Sequence, residues 1–183
     1  MLESDEPGYA VAAFNDTGVR TCANESTTYL PCPEPGFEGQ DGDLGRDVTD
    51  FDPSDGDAGF SFTKLDAAGA ELPASAAAYA CLRDNVTGLV WEQKNSISGD
   101  RHDWSATYSW FNPTGINDGG DAGIENGGDC SGTLSCDTSS FIDAVNAEAL
   151  CGFDDWRLPT VFESFALGNF EGTLAAAAAQ GLD

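Results

Sequence analysis

The sequence predicts an α+β domain in which two short helices pack on a small antiparallel sheet, with long loops and disulfide bonds. Three observations support this prediction. Short alternating segments on both sides of a tight turn, at residues 79–92, predict an antiparallel hairpin. Apolar residues at helical spacing, from Phe141 and Ile142 to Val145 and Ala149, predict a helix. Six cysteines, none in a Cys-x-x-Cys pair, predict a disulfide framework rather than a zinc site.

The strands are predicted from the alternation of apolar and polar residues. Residues 60–65 alternate in this way and predict a half-buried strand. Residues 79–83 and 89–92 are the two arms of the hairpin, since the turn between them supplies asparagine and glycine for positive φ angles. Leu89 and Trp91 share one face of the returning arm. We expect Trp91 in the core, because large aromatic side chains dominate small cores.

The first helix and the corner after it form the most informative stretch. Asp137 is expected to cap the helix, and Gly152 to end it in a left-handed conformation. Pro159 excludes helix at its own position and favours extended geometry at Leu158. Trp156 therefore lies in a short extended segment, where we expect it to be buried.

A second helix is predicted directly after this corner. Thr160 and Glu163 have the spacing of a capping box, in which each side chain accepts a hydrogen bond from the other's backbone N–H. Phe162 and Phe165 are expected to form the inner stripe of the helix, and Gly168 to end it. The predicted structural corner consists of Trp156, Arg157, Pro159, Thr160 and Glu163.

The cysteines indicate an oxidising compartment. Six cysteines allow fifteen connectivities, and a free thiol remains an alternative for any one of them. Spacing favours two local pairs and leaves one long-range pair: Cys22–Cys32, Cys130–Cys136 and Cys81–Cys151. No signal peptide is visible at the acidic N-terminus, and no apolar run reaches the length of a membrane span. We expect a secreted or cell-surface chain whose export signal is not present in this sequence.

The chain carries a formal net charge of −25, with only seven basic side chains. Nucleic acid and anionic membrane surfaces are therefore poor partners, because both require a cationic face. Cations and basic proteins are compatible with this charge. The acidic surface also favours solubility, for example in a saline habitat.

Acidic, glycine-rich loops supply candidate calcium ligands. The loop at residues 116–129 contains too much glycine for a regular element, and a long loop in a compact domain is commonly functional. Hard oxygen donors suit calcium. The preferred ligands are Asp118, Asp121, Glu125 and Asp129, and a second set consists of Asp52, Asp55 and Asp57. The alternative in both places is a solvated surface loop without a metal.

An aromatic cluster precedes this loop and consists of Trp104, Tyr108, Trp110 and Phe111. We expect the cluster to be buried under the loop. Trp and Tyr bury large areas and can satisfy their polar atoms at the edge of a core. If the rings were exposed instead, they could stack on sugars.

Four separated motifs carry a family resemblance. They read Cys-Gly-Phe-Asp-Asp-Trp-Arg-Leu-Pro-Thr at 151–160, Cys-Leu-Arg-Asp-Asn-Val-Thr-Gly-Leu-Val-Trp-Glu at 81–92, Asn-Gly-Gly-Asp-Cys at 126–130 and Cys-Asp-Thr at 136–138. In this order they resemble the Lcl C-terminal-type domain, a bacterial domain of unknown function. The Arg-Leu-Pro-Thr corner is also similar to one in formylglycine-generating enzymes. The resemblance covers residues 14–163.

The resemblance implies a C-type-lectin-like fold that displays loops outside the cytoplasm. It divides the chain into a loop-rich acidic lead-in with a small disulfide loop, residues 1–60, and an Lcl-type domain, residues 61–183. In the family further strands follow the second helix. This chain ends at Asp183 without them, so we expect the second half of the domain to be missing. The best-known relatives are thought to bind sulfated glycans through a basic surface, which this acidic chain does not match.

Three functions are considered in order of preference. The first is a non-enzymatic extracellular module for binding or adhesion at the bacterial cell surface. The second is a structural subunit of a surface filament, in which strands are completed between copies and residues 8–14 act as a donor strand. The third is an enzyme similar to formylglycine-generating enzymes. It is disfavoured because their copper-binding cysteine pair has no counterpart, and because His102 is the single histidine. The expected partners are another copy of the chain or a cell-surface ligand, and calcium is the only expected cofactor.

Overall fold

A computed structural model describes residues 15–49, 54–116, 118–130, 132 and 135–170 of the chain. The architecture is α+β, with a three-stranded antiparallel sheet and three disulfides. The described residues divide into two compact units. The first unit contains residues 15–62, 84–89 and 161–170, and the second contains residues 63–83 and 90–160. Within these described ranges, no helix is long and apolar enough to cross a membrane.

The sheet consists of three short strands, β1 Phe62–Leu65, β2 Cys81–Asp84 and β3 Val90–Glu92. The strand order is β1-β2-β3, so β2 lies in the centre. Strands β2 and β3 are antiparallel with Leu82 opposite Trp91, which confirms the predicted hairpin. Gly88 closes the turn between them, since its backbone N–H donates to the Asp84 carbonyl over 2.8 Å. Its φ angle of 76° is one that glycine adopts without strain.

The core of the second unit joins the sheet to the longest helix, α2 Thr138–Glu148. Leu65 of β1, Cys81 of β2, Val145 of α2 and Cys151 are buried together in one cluster. Apolar burial of this kind contributes about 25 cal/mol per Å² removed from water. The sheet and α2 therefore stabilise each other, as the predicted packing of a helix on a small sheet requires.

Two tryptophans that were expected to be buried are only half-buried. Trp91 lies on β3, an edge strand of three residues in which every residue is half-buried. Trp156 packs against the margin of the core, and its indole N–H donates to the Leu150 carbonyl over 3.1 Å. The expectation of burial is met only in part for both residues, since each is half-buried. A short edge strand and an extended corner are each covered on one side only.

Helix α2 begins where the sequence predicts. The Asp137 carboxylate accepts a hydrogen bond from the Ser140 backbone N–H over 2.8 Å, so Asp137 is the N-cap. Gly152 has the predicted left-handed conformation, with a φ angle of 81°, but the prediction that it ends the helix was wrong. The helix ends at Glu148, because Ala149 already has a left-handed φ angle of 52°. A short 3-10 turn follows and brings Cys151 into the core.

Helix α3 Val161–Phe165 begins directly after Thr160, where the capping box predicts. The expected inner stripe was wrong, since the side chains of Phe162 and Phe165 are 75% and 61% exposed. The half-buried residue of this helix is Glu163. A helix of five residues makes little more than one turn, which is too short for an apolar stripe at helical spacing.

The first unit is organised around a small disulfide loop and a pair of phenylalanines. Cys22 pairs with Cys32, and Cys22 is buried. Phe60 and Phe62 are also buried, with ring centroids 6.0 Å apart. In the described part of this unit, the remaining regular elements are one 3-10 turn, Asp41–Asp43, and one turn of α-helix, α1 Arg46–Thr49. The predicted donor strand at residues 8–14 lies outside the described residues.

Candidate functional site

All six cysteines form disulfides, in the three pairs that were expected: Cys22–Cys32, Cys81–Cys151 and Cys130–Cys136. The pairs span 10, 70 and 6 residues respectively. No cysteine is free. Three disulfides in one chain indicate an extracellular or otherwise oxidising environment.

The four preferred calcium ligands lie along one loop, and the carboxylates of Asp118 and Asp121 make local contacts. Asp118 and Asp121 each accept a hydrogen bond of 2.9 Å from a backbone N–H two residues further along the chain. Glu125 is exposed. The backbone of Asp129 pairs with Thr107. The first two carboxylates thus stabilise their own turns, as Asp side chains do in loops.

The second set of calcium candidates is similarly engaged. Asp55 accepts a hydrogen bond from the Ser61 hydroxyl over 2.6 Å. Asp57 forms an ion pair of 3.3 Å with Arg20. Asp52 lies outside the described residues, so its position relative to these two is not part of the structure.

Among the residues that the structure describes, one group of His, Cys, Asp or Glu side chains places possible ligand atoms within 4.8 Å of one another. This group consists of Cys22, Cys32 and Asp43. Both sulfur atoms belong to a disulfide, and a metal is bound by the thiolate form of cysteine. Calcium binding at either acidic loop therefore remains a prediction.

The long loop after the aromatic cluster folds back onto the segment before it. Isolated bridges pair Thr107 with Asp129, and Phe111 with Gly123. Gly123 has a φ angle of +83°, and an added Cβ would collide with the Trp110 carbonyl and ring. Only glycine fits this close approach. The loop is therefore held against the protein rather than extending freely into solvent.

The base of this loop is anchored by the N-cap of α2. The Asn126 backbone N–H donates to the Asp137 carboxylate over 3.1 Å, and the Asn126 side chain accepts from the Cys136 N–H over 2.8 Å. Asp137 is 0% exposed. Burial raises the pKa of its carboxyl, but the hydrogen bonds from the backbone N–H groups of Ser140 and Asn126 outweigh this effect and lower the pKa below its ordinary value.

Two members of the aromatic cluster are exposed, which corrects the expectation of burial. The side chains of Trp104 and Trp110 are 67% and 43% exposed. Tyr108 packs on Phe141 of α2, with ring centroids 4.7 Å apart. Tyr108 therefore occupies the apolar surface of α2, and the two tryptophans remain at the surface. Two large indole rings are thus available to a ligand.

An ionic cluster lies beside this aromatic segment and is centred on the single histidine. The His102 Nδ1 atom is 2.6 Å from Oε1 of Glu92, and its Nε2 atom is 2.6 Å from Oε1 of Glu148. Lys94 is 2.8 Å from the same Glu92 carboxylate, and Arg101 forms an ion pair with Glu148. Basic and acidic side chains therefore alternate through the cluster, from the end of β3 to the end of α2.

The cluster shifts the pKa values of its central groups. The hydrogen bond to Glu92 raises the pKa of His102 above its ordinary value and outweighs burial, which lowers it. Glu148 acts in the same direction as Glu92. Burial raises the pKa of Glu92, but the hydrogen bonds from His102 and Lys94 outweigh it and hold that pKa below its ordinary value. The protonated histidine and the ionised carboxylate thus stabilise each other.

In this arrangement both ring nitrogens of His102 are engaged by carboxylates, so neither is free for catalysis or metal binding. General-base catalysis and metal binding both require a ring nitrogen with a free lone pair. Both nitrogens of His102 are instead within hydrogen-bond distance of a glutamate. The cluster is therefore a structural connection between β3 and α2.

The predicted corner is fixed by a residue that sequence reasoning did not identify, Asn146 of α2. Its side chain donates to the Trp156 carbonyl over 3.0 Å and accepts from the Trp156 N–H over 2.6 Å. Arg157 donates to the Leu158 carbonyl over 3.1 Å. Asparagine within a helix is unfavourable unless its side chain has a hydrogen-bond partner. The position of Asn146 in the predicted helix therefore could have indicated a contact with another segment.

Comparison with known proteins gives one match. The family model of the Lcl C-terminal domain matches residues 80–181, more than half of the chain. No curated protein and no solved structure matches. The matched region includes the hairpin from β2 onward, the exposed aromatic segment and α2.

Proposed function

This chain belongs to the Lcl C-terminal domain family, and from that premise we propose that it is a non-enzymatic binding or adhesion module of the bacterial cell surface. The proposal includes a C-type-lectin-like fold, in which an α+β scaffold displays ligand-binding loops. The observation that carries it is the exposure of Trp104 and Trp110 on a segment held against α2.

Two exposed tryptophans on one segment support a binding role. An indole ring presents a large apolar area, and covering it with a ligand stabilises the complex. Tryptophan is also among the residues that most often dominate the binding energy of an interface. The loop that folds back onto this segment limits its conformational freedom, which lowers the entropy cost of binding.

The charge of the chain supports an uncharged ligand. Four of the seven basic side chains form ion pairs within their own unit: Arg20, Arg83, Lys94 and Arg101. A sulfated glycan requires free cationic side chains, and a net charge of −25 opposes its approach. An uncharged glycan can instead stack on the indole rings and donate its hydroxyl hydrogens to nearby carboxylates.

Secretion is part of the same proposal. The three disulfides support an oxidising compartment, and a cell-surface glycan is present only outside the cytoplasm. The proposal includes calcium as a cofactor, bound by the loop that contains Asp118 and Asp121, because calcium prefers carboxylate oxygens as ligands.

Replacing Trp104 and Trp110 together by alanine is expected to weaken adsorption to an insoluble uncharged polysaccharide, chitin or cellulose, by at least about tenfold. Each lost indole contact removes about 1 kcal/mol or more, and 1.4 kcal/mol corresponds to a factor of ten. The measurement is the depletion of protein from solution as a function of polysaccharide concentration. Heparin beads serve as the polyanionic comparison, to which we expect no adsorption.

The matched control is Phe162→Ala, which removes an aromatic ring from the first unit that is more exposed than either tryptophan. We expect this variant to adsorb as the unmodified chain does. Equal adsorption of the double tryptophan variant would contradict the proposal, and so would the absence of adsorption to either polysaccharide.

A structural subunit of a surface filament is the second candidate. It is supported by the exposed phenylalanines of α3 and the residues after it, Phe162, Phe165 and Phe170. An exposed apolar group of this kind is typical of protein contacts. Strand β3 is also an edge of the sheet, where a strand from another copy could pair. The partner would then be a second copy of the chain.

A further inference from the structure

We propose that His102 is a protonation-dependent clamp that fixes the loop before Trp104 to both β3 and α2, and that the loop is loosened when His102 loses its second proton. The effect of this clamp on ligand binding rests on the proposed function, because Trp104 is one of the two residues that we propose to contact the ligand. The clamp itself follows from the geometry of the cluster alone.

The number of N–H groups on the imidazole ring decides whether both contacts exist. Neutral histidine has one N–H donor and one lone pair, whereas the protonated form has two donors. Ionised carboxylates only accept hydrogen bonds. Since Nδ1 and Nε2 are each 2.6 Å from a glutamate oxygen, the arrangement requires the protonated ring. Deprotonation would place a lone pair against a carboxylate oxygen and break one of the two contacts.

The charged groups around the ring reinforce this requirement. The side chains of His102 and Glu92 are only 17% and 13% exposed, so water screens this contact less than it screens a surface ion pair. The groups that act on His102 or on its two glutamates are Glu92, Lys94, Asp100, Arg101, Tyr108 and Glu148. With neutral histidine, Lys94 still pairs with Glu92 and Arg101 with Glu148. The histidine connects the two pairs through its two ring nitrogens.

The loop that the clamp fixes is closed at its base by backbone hydrogen bonds. The Asn95 N–H donates to the His102 carbonyl over 2.8 Å, and the Trp104 N–H donates to the Asn95 carbonyl over 2.8 Å. Trp104 therefore lies two residues after His102, and both residues are hydrogen-bonded to the backbone of Asn95. Arg101 adds a second contact to α2 through the Ala144 carbonyl, at 3.2 Å. Deprotonation is thus expected to loosen the loop without unfolding it.

The direction of the pH dependence follows from the pKa shifts. The pKa of His102 is raised in the folded chain, mainly by its hydrogen bond to Glu92. Its stabilising contribution is therefore complete below the unfolded pKa of about 6.5, and it is lost as the pH rises through the folded pKa. The lowered pKa of Glu92 keeps that carboxylate ionised at mildly acidic pH. The clamp is thus closed at mildly acidic pH and opens as the pH rises through the raised pKa of His102.

The composition makes this effect unusually simple to measure. The chain has one histidine and no free cysteine, so the N-terminal amine is the only other group that ordinarily titrates between about pH 6 and pH 9. Nitrogen-15 NMR of the single imidazole gives its pKa and its number of N–H groups directly. We expect a pKa above about 6.5, with both nitrogens protonated below it. A pKa at or below that value would overturn the proposal, and this measurement needs no variant.

The variant His102→Gln keeps one donor and one acceptor and does not titrate. We expect the melting temperature of the unmodified chain to fall by about 3 °C from pH 6 to pH 9, and that of the variant to change by less than about 1 °C. In the same titration the indole N–H signal of Trp104, assigned with Trp104→Phe, should shift with the pKa of His102. The clamp would be overturned by a Trp104 signal that does not shift as His102 titrates. It would also be overturned by a melting temperature with the same pH dependence in both proteins.

Ligand binding separates the two proposals. If the clamp and the binding site both exist, adsorption to chitin or cellulose should weaken at pH 9 in the unmodified chain and not in His102→Gln. Adsorption that depends on the tryptophans but not on pH would refute regulation by the clamp and leave the binding module intact. A confirmed histidine titration without any adsorption would instead refute the binding module.

Discussion

Replacing Cys81 and Cys151 together by alanine is expected to lower the free energy of unfolding by about 4 kcal/mol, measured by urea denaturation. The disulfide joins residues 70 positions apart, and the amount by which a crosslink lowers the entropy of the unfolded chain grows with the length of the closed loop. Both cysteines are also buried in the core beside Leu65 and Val145. A loss of this size is a large part of the stability of a typical domain, about 5–15 kcal/mol.

The pair Cys130 and Cys136 is the matched control, because it closes a loop of only 6 positions. The same double replacement there is expected to cost about 2 kcal/mol by the entropy argument. The two costs should therefore differ by about a factor of two. An equal cost for both disulfides would contradict the role of Cys81–Cys151 as the main connection between β2 and the end of α2.

Replacing Asp137 by alanine is expected to lower the free energy of unfolding by about 2–3 kcal/mol at pH 7. Its carboxylate caps α2 through Ser140 and anchors the long loop through Asn126, and its removal leaves both backbone N–H groups without this acceptor. Asp137→Asn keeps an oxygen acceptor and should lose less. Asp143→Ala, an exposed change on the same helix, should change stability by less than about 0.5 kcal/mol.

The Asp137 effect should also depend on pH in a defined direction. The pKa of its carboxyl is lowered in the folded chain, so its contribution is complete above the unfolded pKa of about 3.9 and is lost as the pH falls through the folded pKa. The difference between Asp137→Ala and the unmodified chain should therefore shrink below about pH 4. A difference that stays constant down to pH 2 would contradict the charged cap.

The sequence correctly predicted those elements whose position depends on turn and capping residues close by in the chain. The hairpin of β2 and β3, the start of α2 at Asp137 and the start of α3 after Thr160 are all where turn and capping residues indicate. The three disulfide pairs also agree with the expectation from spacing. The exact end of α2 was missed, because the left-handed residue that ends the helix is Ala149 and not a glycine.

Contacts between distant residues could not be read from the sequence. Glu92, His102 and Glu148 meet only because β3 and the end of α2 are brought together by the core. In a chain with 32 acidic residues, no pattern identifies which two will contact the histidine. The exposure of Trp104 and Trp110 was missed for a related reason. Large aromatic rings are usually buried, but which of them lie in the core depends on tertiary packing, which the sequence does not show.

Molar mass in solution by light scattering tests the central claim most directly, since it separates a display module from a filament subunit. The measurement covers a wide range of protein concentration at low and high salt, with and without calcium. We predict a constant 19.1 kDa under all conditions, because a display module binds its ligand as a single chain. At low salt a net charge of −25 also opposes contact between copies. A mass that grows with protein concentration, salt or calcium, and that falls again in Phe162→Ser with Phe165→Ser, would contradict the binding module and support the structural subunit.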